Sequence, residues 1–297
     1  NEVIDFLKLR TDVDPSALNT KWYELVTKNG ILDFRDKQLY PHSAADIHTI
    51  SIPWSFNGVP NYSKRIDEFF NHISDRNDMK KALLYEIVGL CLLKKNISEQ
   101  FFMIVGEGST GKSTYLKMIE KLIGDDNYSA LSISDINEKF RTERLFGKLV
   151  NVGDDTPFSM LKETDTLKKL VTGEIVTVER KFGDIFQFSN FATLIFTTNK
   201  LPGSLDRTTG FLRRINIIDM NSRIENPDPH FMESLTEEDY EYLLYKAVDA
   251  VNKVIIKNKL SEYLGQRQLK EAYKTDQSSI LSFMLEYSYG VPEITGN

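Results

Sequence analysis

The sequence predicts an α/β fold: a P-loop core with a central parallel sheet, preceded and followed by mainly helical segments. Three observations predict it. An apolar run, Phe101–Val105, leads into Gly106-Glu107-Gly108-Ser109-Thr110-Gly111-Lys112-Ser113, and a helix-like run follows from Thr114 to Ile123. Strand, glycine loop and helix in that order form a phosphate-binding loop. A second apolar strand, Leu149–Gly153, ends in Asp154-Asp155, 42 residues after Lys112. Across residues 98 to 220 strands and helices alternate, the pattern of a sheet covered by helices.

The loop residues suit a triphosphate. Gly106, Gly108 and Gly111 let the backbone curl so that successive N–H groups, from Glu107 through Thr114, face an anion. Lys112 brings a mobile cation to the β/γ oxygens, and Ser113 offers a hydroxyl to Mg²⁺. The helix that follows points its positive end at the same anion. Gly106, Gly108 and Gly111 also spell the G-x-G-x-x-G of dinucleotide folds, but that motif needs an acid at the end of the next strand. Here Tyr128–Leu131 ends in Ser132. A GTPase reading fails as well. Asn199-Lys200 begins an N-K-x-D motif, yet Pro202 stands at its Asp, and no D-x-x-G starts at Asp154.

Composition narrows the class further. A chain of 297 residues, 41% hydrophobic and 27% charged, has the make-up of a globular protein with a sizeable core. Its apolar stretches are too short to cross a bilayer, and no signal segment opens it. With Asn1 in place of an initiator Met, the chain is expected to be a piece of something longer. The single cysteine, Cys91, excludes an internal disulfide, fits a reducing cytoplasm and reads as a core thiol. His42, His48, His72 and His230 lack metal-ligand spacing. The net charge is −6, yet Lys139 to Arg214 holds 13 Lys and Arg against 9 Asp and Glu. That distribution is compatible with a basic channel on an acidic body.

Three regions follow in order. Residues 1–97 form a mainly helical domain, with helices expected from Pro15 to about Lys28, Lys64 to about Ile73, and Asp78 to Lys94. Short strands are expected at Ile31–Phe34 and Ile47–Ile52. Residues 98–220 form the core, with strands Phe101–Val105, Tyr128–Leu131, Leu149–Gly153, Thr193–Thr198 and Ile215–Ile218. Residues 221–297 turn helical again: Glu237–Lys257, Gln266–Lys274 and Ser279–Tyr287.

The second half of a phosphate site needs a carboxylate for Mg²⁺ and a group to orient water. Asp154 and Asp155 supply both, two acids that repel unless a cation lies nearby. Asn199 closes the strand Thr193–Thr198 with a neutral amide that can sense a γ-phosphate without adding charge. Arg213 and Arg214 precede Ile215–Ile218; in a ring of subunits one could reach a neighbour's phosphate.

Together these segments resemble a superfamily 3 helicase, an AAA+-related hexameric ring motor, and most of all the helicase half of phage, plasmid and mobile-element primase–helicases. The carrying residues are Gly106–Ser113, Thr142–Asp155, Thr193–Pro202 and the Arg213-Arg214 pair, all within 109 residues. With the lead-in Ile52–Lys94, the resemblance covers roughly residues 50 to 220.

The resemblance implies an AAA+-like core at 98–220, an oligomerisation collar at 1–97 and a helical C-terminal segment at 221–297. It implies ATP held by the loop, Mg²⁺ served by Ser113 and Asp154, water polarised by Asp155, Asn199 as sensor and Arg213 or Arg214 as a trans finger. Leu170–Asp184 matches the family's pore-hairpin motif, which assigns Arg180, Lys181 and Phe182 to single-stranded DNA. A cation for phosphate beside a ring for stacking suits sequence-independent binding. The expected activity is ATP-driven 3′–5′ unwinding of forked DNA by a homo-hexamer in a bacterial host cytoplasm, with a primase domain or partner. The acidic metal site of the family's primase half is absent from these residues, so no primer synthesis is expected of them. Two other readings remain open here: an AAA+ loader acting on a protein, and a non-catalytic ATP-binding assembly module.

Overall fold

The computed structural model describes residues 19–43, 48–138, 140–154, 161, 163–179, 185–204, 206 and 208–275. Its first element corrects the sequence reading. Where a helix is expected to run to Lys28, Glu24–Thr27 (β1) is a strand, paired antiparallel with Gly30–Asp33 (β2). Thr27 faces Gly30 in the register, so Lys28-Asn29 is a two-residue hairpin turn. Asn29-Gly30 leads from the turn into a second strand here and ends no helix. The period-two burial of Leu25 and Thr27 shows which pattern tertiary packing selected. Gln38–Tyr40 (β3), which the sequence reading lacks, completes this small sheet.

The helices Lys64–Ile73 and Asp78–Leu90 follow, the second four residues shorter than expected. Ser63 caps the first by accepting from the Ile66 N–H, and Asn77 caps the second by accepting from the Lys80 N–H.

The core sheet contains Phe101–Val105 (β4), Tyr128–Ser129 (β5), Val150–Gly153 (β6), Thr193–Thr198 (β9) and Ile215–Asp219 (β10). All its pairings are parallel, in the order β10-β4-β9-β6-β5. Along β4 the side chains alternate between two apolar cores: Phe102 and Ile104 enter one, Phe101 and Met103 the other. The first core joins the N-terminal helices, the loop-following helix Lys112–Ile123 and the long helix Glu237–Lys257. The second takes the helix Asp165–Thr172 and the hairpin Ile175–Glu179 (β7) with Ile185–Ser189 (β8). This is the α/β P-loop core the sequence predicts.

The long helix begins at a capping box, Thr236 with Asp239, and Ser63 also donates to Asp239 at 2.5 Å. Two helix starts are thereby joined. A last described helix covers 264–275, close to the expected Gln266–Lys274. The expected helix Ser279–Tyr287 lies outside the described residues. Cys91 is buried, and burial pushes its thiol up. Among the described residues no helix is long and apolar enough to cross a membrane.

Candidate functional site: a P-loop at the sheet's C-terminal edge

Because the strands are parallel, the loops leaving β4, β6 and β9 emerge at one edge of the sheet. A crevice outside strand C-termini is where open α/β sheets bind ligands. The loop from Gly106 turns into its helix at Gly111, which caps it with a left-handed φ of 92°. A β-carbon at Gly111 would be strained there and would also lie 2.8 Å from Ile73 Cγ2. Glu107, Gly108 and Ser109 are exposed at the crest, while Thr110 is buried and donates to the Glu107 carbonyl at 3.1 Å.

The Lys112 ammonium lies in this crevice. It donates to the carbonyls of Gly106 and Glu107 (2.8 Å for the latter) and to Asn199 Oδ1 at 3.3 Å. Ser113 Oγ lies 3.5 Å from Asp154 Oδ2. The other Asp154 oxygen, Oδ1, accepts from Thr197 Oγ1 at 2.5 Å. Three strands thus deliver a cation, a hydroxyl, a carboxylate and an amide to one place. β9 lies between β4 and β6, which sets Asn199 beside Lys112 and Thr197 beside Asp154.

Thr197 is the contributor the sequence reading missed. Within Thr193–Thr198 it reads as one more β-branched strand residue, and only the β6–β9 pairing reveals its reach to Asp154.

The two arginines separate. Arg214 is buried and donates from Nη1 to the Gly210 carbonyl at 2.7 Å, whereas Arg213 is exposed. Both lie at the end of a short helix, Thr209–Arg214, where Gln100 Nε2 donates to the Arg213 carbonyl at 3.2 Å. Both arginines precede β10, whose Ile215 pairs with Phe101 at the start of β4. The P-loop leaves β4 at the opposite end, about 16 Å away at 3.3 Å per residue. Neither arginine is therefore placed at its own chain's loop.

Asp155 and the hairpin turn with Arg180, Lys181 and Phe182 lie outside the described residues. The hairpin's arms are described: β7 and β8 pair from Ile175↔Ser189 to Glu179↔Ile185, close to the expected strands.

The donor set fits a nucleotide with its metal. A carboxylate and a hydroxyl from the protein, with phosphate oxygens and water, match the few protein ligands that Mg²⁺ takes. Among the described residues no cluster of three or more His, Cys, Asp or Glu offers a protein-only metal cage.

Fold and crevice together define a P-loop-type α/β protein. Residues 104–214 match a family described as "Family of unknown function (DUF5906)", and residues 1–75 match one described as "D5 N terminal like". Among solved structures the chain is similar to the C-terminal region of NrS-1. An A-form apo structure of that region gives a TM-score of 0.56 at 13% identity, covering 84% of this chain and 71% of that one. A second A-form apo structure gives 0.54 at 16% identity, covering 75% and 58%. A further apo structure gives 0.52 at 14%, covering 81% and 72%. Likeness at these identities shows a shared fold.

Proposed function

We propose that this chain is the motor portion of a phage-type primase–helicase: an ATP-driven, ring-forming helicase of the superfamily 3 kind, working 3′ to 5′ on single-stranded DNA during replication. One observation carries the reading. Lys112, Ser113, Asp154 and Asn199, drawn from the start of one helix and the ends of two strands and up to 87 positions apart, meet at one edge of a parallel sheet. The match to a D5 N terminal like family and the fold shared with the NrS-1 C-terminal region support it.

In this reading Lys112 exchanges its carbonyl partners for phosphate oxygens, and the loop amides from Glu107 to Thr114 cradle the chain of phosphates. Ser113 and Asp154 would hold Mg²⁺, which would supply charge neutralisation for the phosphates there, and Thr197 fixes the orientation of the carboxylate. Asp155 polarises the lytic water, and Asn199, already in contact with Lys112, senses the terminal phosphate. Arg213, exposed and a strand's length from its own loop, serves a neighbour's site, which makes assembly part of catalysis. Arg180, Lys181 and Phe182 grip the strand in the pore.

The test is displacement of a labelled strand from forked duplexes with 3′ or 5′ tails, with the particle mass measured with and without ATP. Unwinding confined to the 3′-tailed fork by a particle of about six subunits is the expected outcome. An assembled, ATP-hydrolysing particle that separates neither fork would refute the helicase reading.

A further inference from the structure

Lys80 sits in the first turn of the helix Asp78–Leu90, where the helix dipole disfavours a cation. Its side chain is only 2% exposed. Its ammonium lies 2.5 Å from Asp75 Oδ2 and 3.2 Å from Asp219 Oδ2, with the Tyr263 ring centroid 5.6 Å away. Tyr263 donates to Asp219 Oδ1 at 2.5 Å, and Asn221 donates to Asp219 Oδ2 at 2.6 Å. Ser222 Oγ donates to Asp75 Oδ1, and His72 Nε2 lies 3.0 Å from the Ser222 carbonyl. Burial works against the Asp75 charge, but hydrogen bonds from Lys80 and Ser222 outweigh it and hold the carboxyl below its ordinary value. Asp75 and Arg76 both adopt left-handed backbone, φ 54° and 56°, a turn these contacts pin down.

The segment clasped in this way forms the outer wall of the P-loop. The Met220 N–H donates to the Val105 carbonyl at 2.7 Å, and the Ile224 N–H donates to the Ser109 carbonyl at 2.8 Å. The wall stands so close that a β-carbon at Gly106 would lie 2.1 Å from the Met220 carbonyl oxygen. Residues 220–224 therefore touch the loop at its entry and near its crest, and on their other side they touch Asp75 and His72.

A buried ion pair is weak support for stability, because desolvation offsets its attraction. What a cation held between two carboxylates does supply is a fixed geometry. We infer that Lys80 is a positioning residue for the nucleotide site: with Asp75 and Asp219 it clasps residues 219–224 against the P-loop and presets the loop for a triphosphate. It touches no reacting atom. This inference rests on the reading of the P-loop as a nucleotide site. A loop preset by its wall binds with less ordering cost, so loosening the clasp weakens affinity and spares the chemical step.

The experiment measures the Kd of a fluorescent ATP analogue, kcat at saturating ATP, and Tm, in Lys80→Met, Lys80→Arg and Ser222→Ala. Lys80→Met is expected to raise Kd about tenfold, as for a binding-competent loop populated one time in ten, with kcat within about twofold. Ser222→Ala, which removes only the hydroxyl linking wall to clasp, is expected to raise Kd by a smaller factor, and Lys80→Arg to restore most of the loss. Should Lys80→Met not fold, Ser222→Ala decides alone. Folded variants with lowered Tm and wild-type Kd would overturn the inference, since Lys80 would then be structural only. A wild-type protein that binds no nucleotide would instead overturn the P-loop reading beneath it.

Discussion

Ser113 Oγ and Asp154 Oδ2 face each other at 3.5 Å, one from the first turn of the helix after β4 and the other from the end of β6. The two strands are not neighbours; β9 runs between them. The gap is bridged because Thr197 of β9 holds the second Asp154 oxygen and turns the carboxylate toward the loop.

Removing that support isolates its effect. Thr197→Val keeps shape but loses the hydroxyl that orients Asp154. Partners of this kind cost about 10–100-fold in metal affinity or activity when removed. The Mg²⁺ concentration for half-maximal ATP turnover is expected to rise about tenfold, with near-normal rates restored at high Mg²⁺. An unchanged Mg²⁺ titration would show that Asp154 needs no such support.

Lys112→Ala removes the crevice cation. Its hydrogen bonds to loop carbonyls and Asn199 lie outside both apolar cores, so Tm is expected to stay close to wild type. Turnover is expected to fall by about 100-fold or more, the scale seen when a charge-stabilising donor is deleted. Asp155→Asn is expected to keep ATP binding and lose turnover. Phosphate release with a parallel binding measurement checks both.

The arginine pair separates by burial. Arg213→Ala is expected to keep stability and lose hydrolysis, while Arg214→Ala, which deletes a buried side chain bonded to Gly210, is expected to lower Tm. Mixing Arg213→Ala with Lys112→Ala subunits is expected to recover part of the activity, because some interfaces then hold both intact halves. Proven co-assembly without recovery would count against a shared site.

Lys181→Ala is expected to lower the log–log salt slope of single-strand binding by about one unit or less, leaving basal hydrolysis intact. Phe182→Ala is expected to weaken binding by about 1–3 kcal/mol through lost stacking. Normal unwinding by the double variant would place the DNA path elsewhere.

Glu86 is buried and accepts from the Ser261 N–H at 2.7 Å and its hydroxyl at 2.6 Å. Burial pushes its carboxyl above the ordinary value, against the opposing pull of Ser261, Lys257 and Lys253. A carboxyl raised on folding binds its proton more tightly in the native state. Its contribution is full below the unfolded value of about 4.3 and is lost as pH rises through the folded value. Glu86→Gln stays neutral and keeps an acceptor. It is expected to match wild type in Tm near about pH 4 and to exceed it increasingly toward neutral pH. A constant difference across that range would contradict the assignment.

Much of this architecture is legible in the sequence because local signals agree with packing. Phe101–Val105 and Thr193–Thr198 are uniformly apolar or β-branched and form strands with the expected bounds. Lys64–Ile73 and Glu237–Lys257 carry side-chain caps at Ser63 and Thr236 and match the helices expected there. The miss at Glu24–Thr27 has a physical cause: Asn29-Gly30 stops a helix or turns a hairpin equally well, and pairing with β2 decides. The convergence of Lys112, Ser113, Asp154 and Asn199 follows from motif spacing. The Thr197 contact with Asp154 and the Lys80 contact with Asp219 depend on elements distant in sequence, and no local pattern reports them.

ATP hydrolysis at one edge of the sheet is expected to respond to DNA bound elsewhere on the particle. Phosphate release by the wild-type protein with Mg²⁺, measured with and without single-stranded DNA over a salt series, tests it most directly. Measurable basal turnover is expected to rise several-fold with DNA, a stimulation that fades as salt displaces the phosphate contacts. An assembled protein that binds ATP but releases no phosphate, with or without DNA, would contradict it.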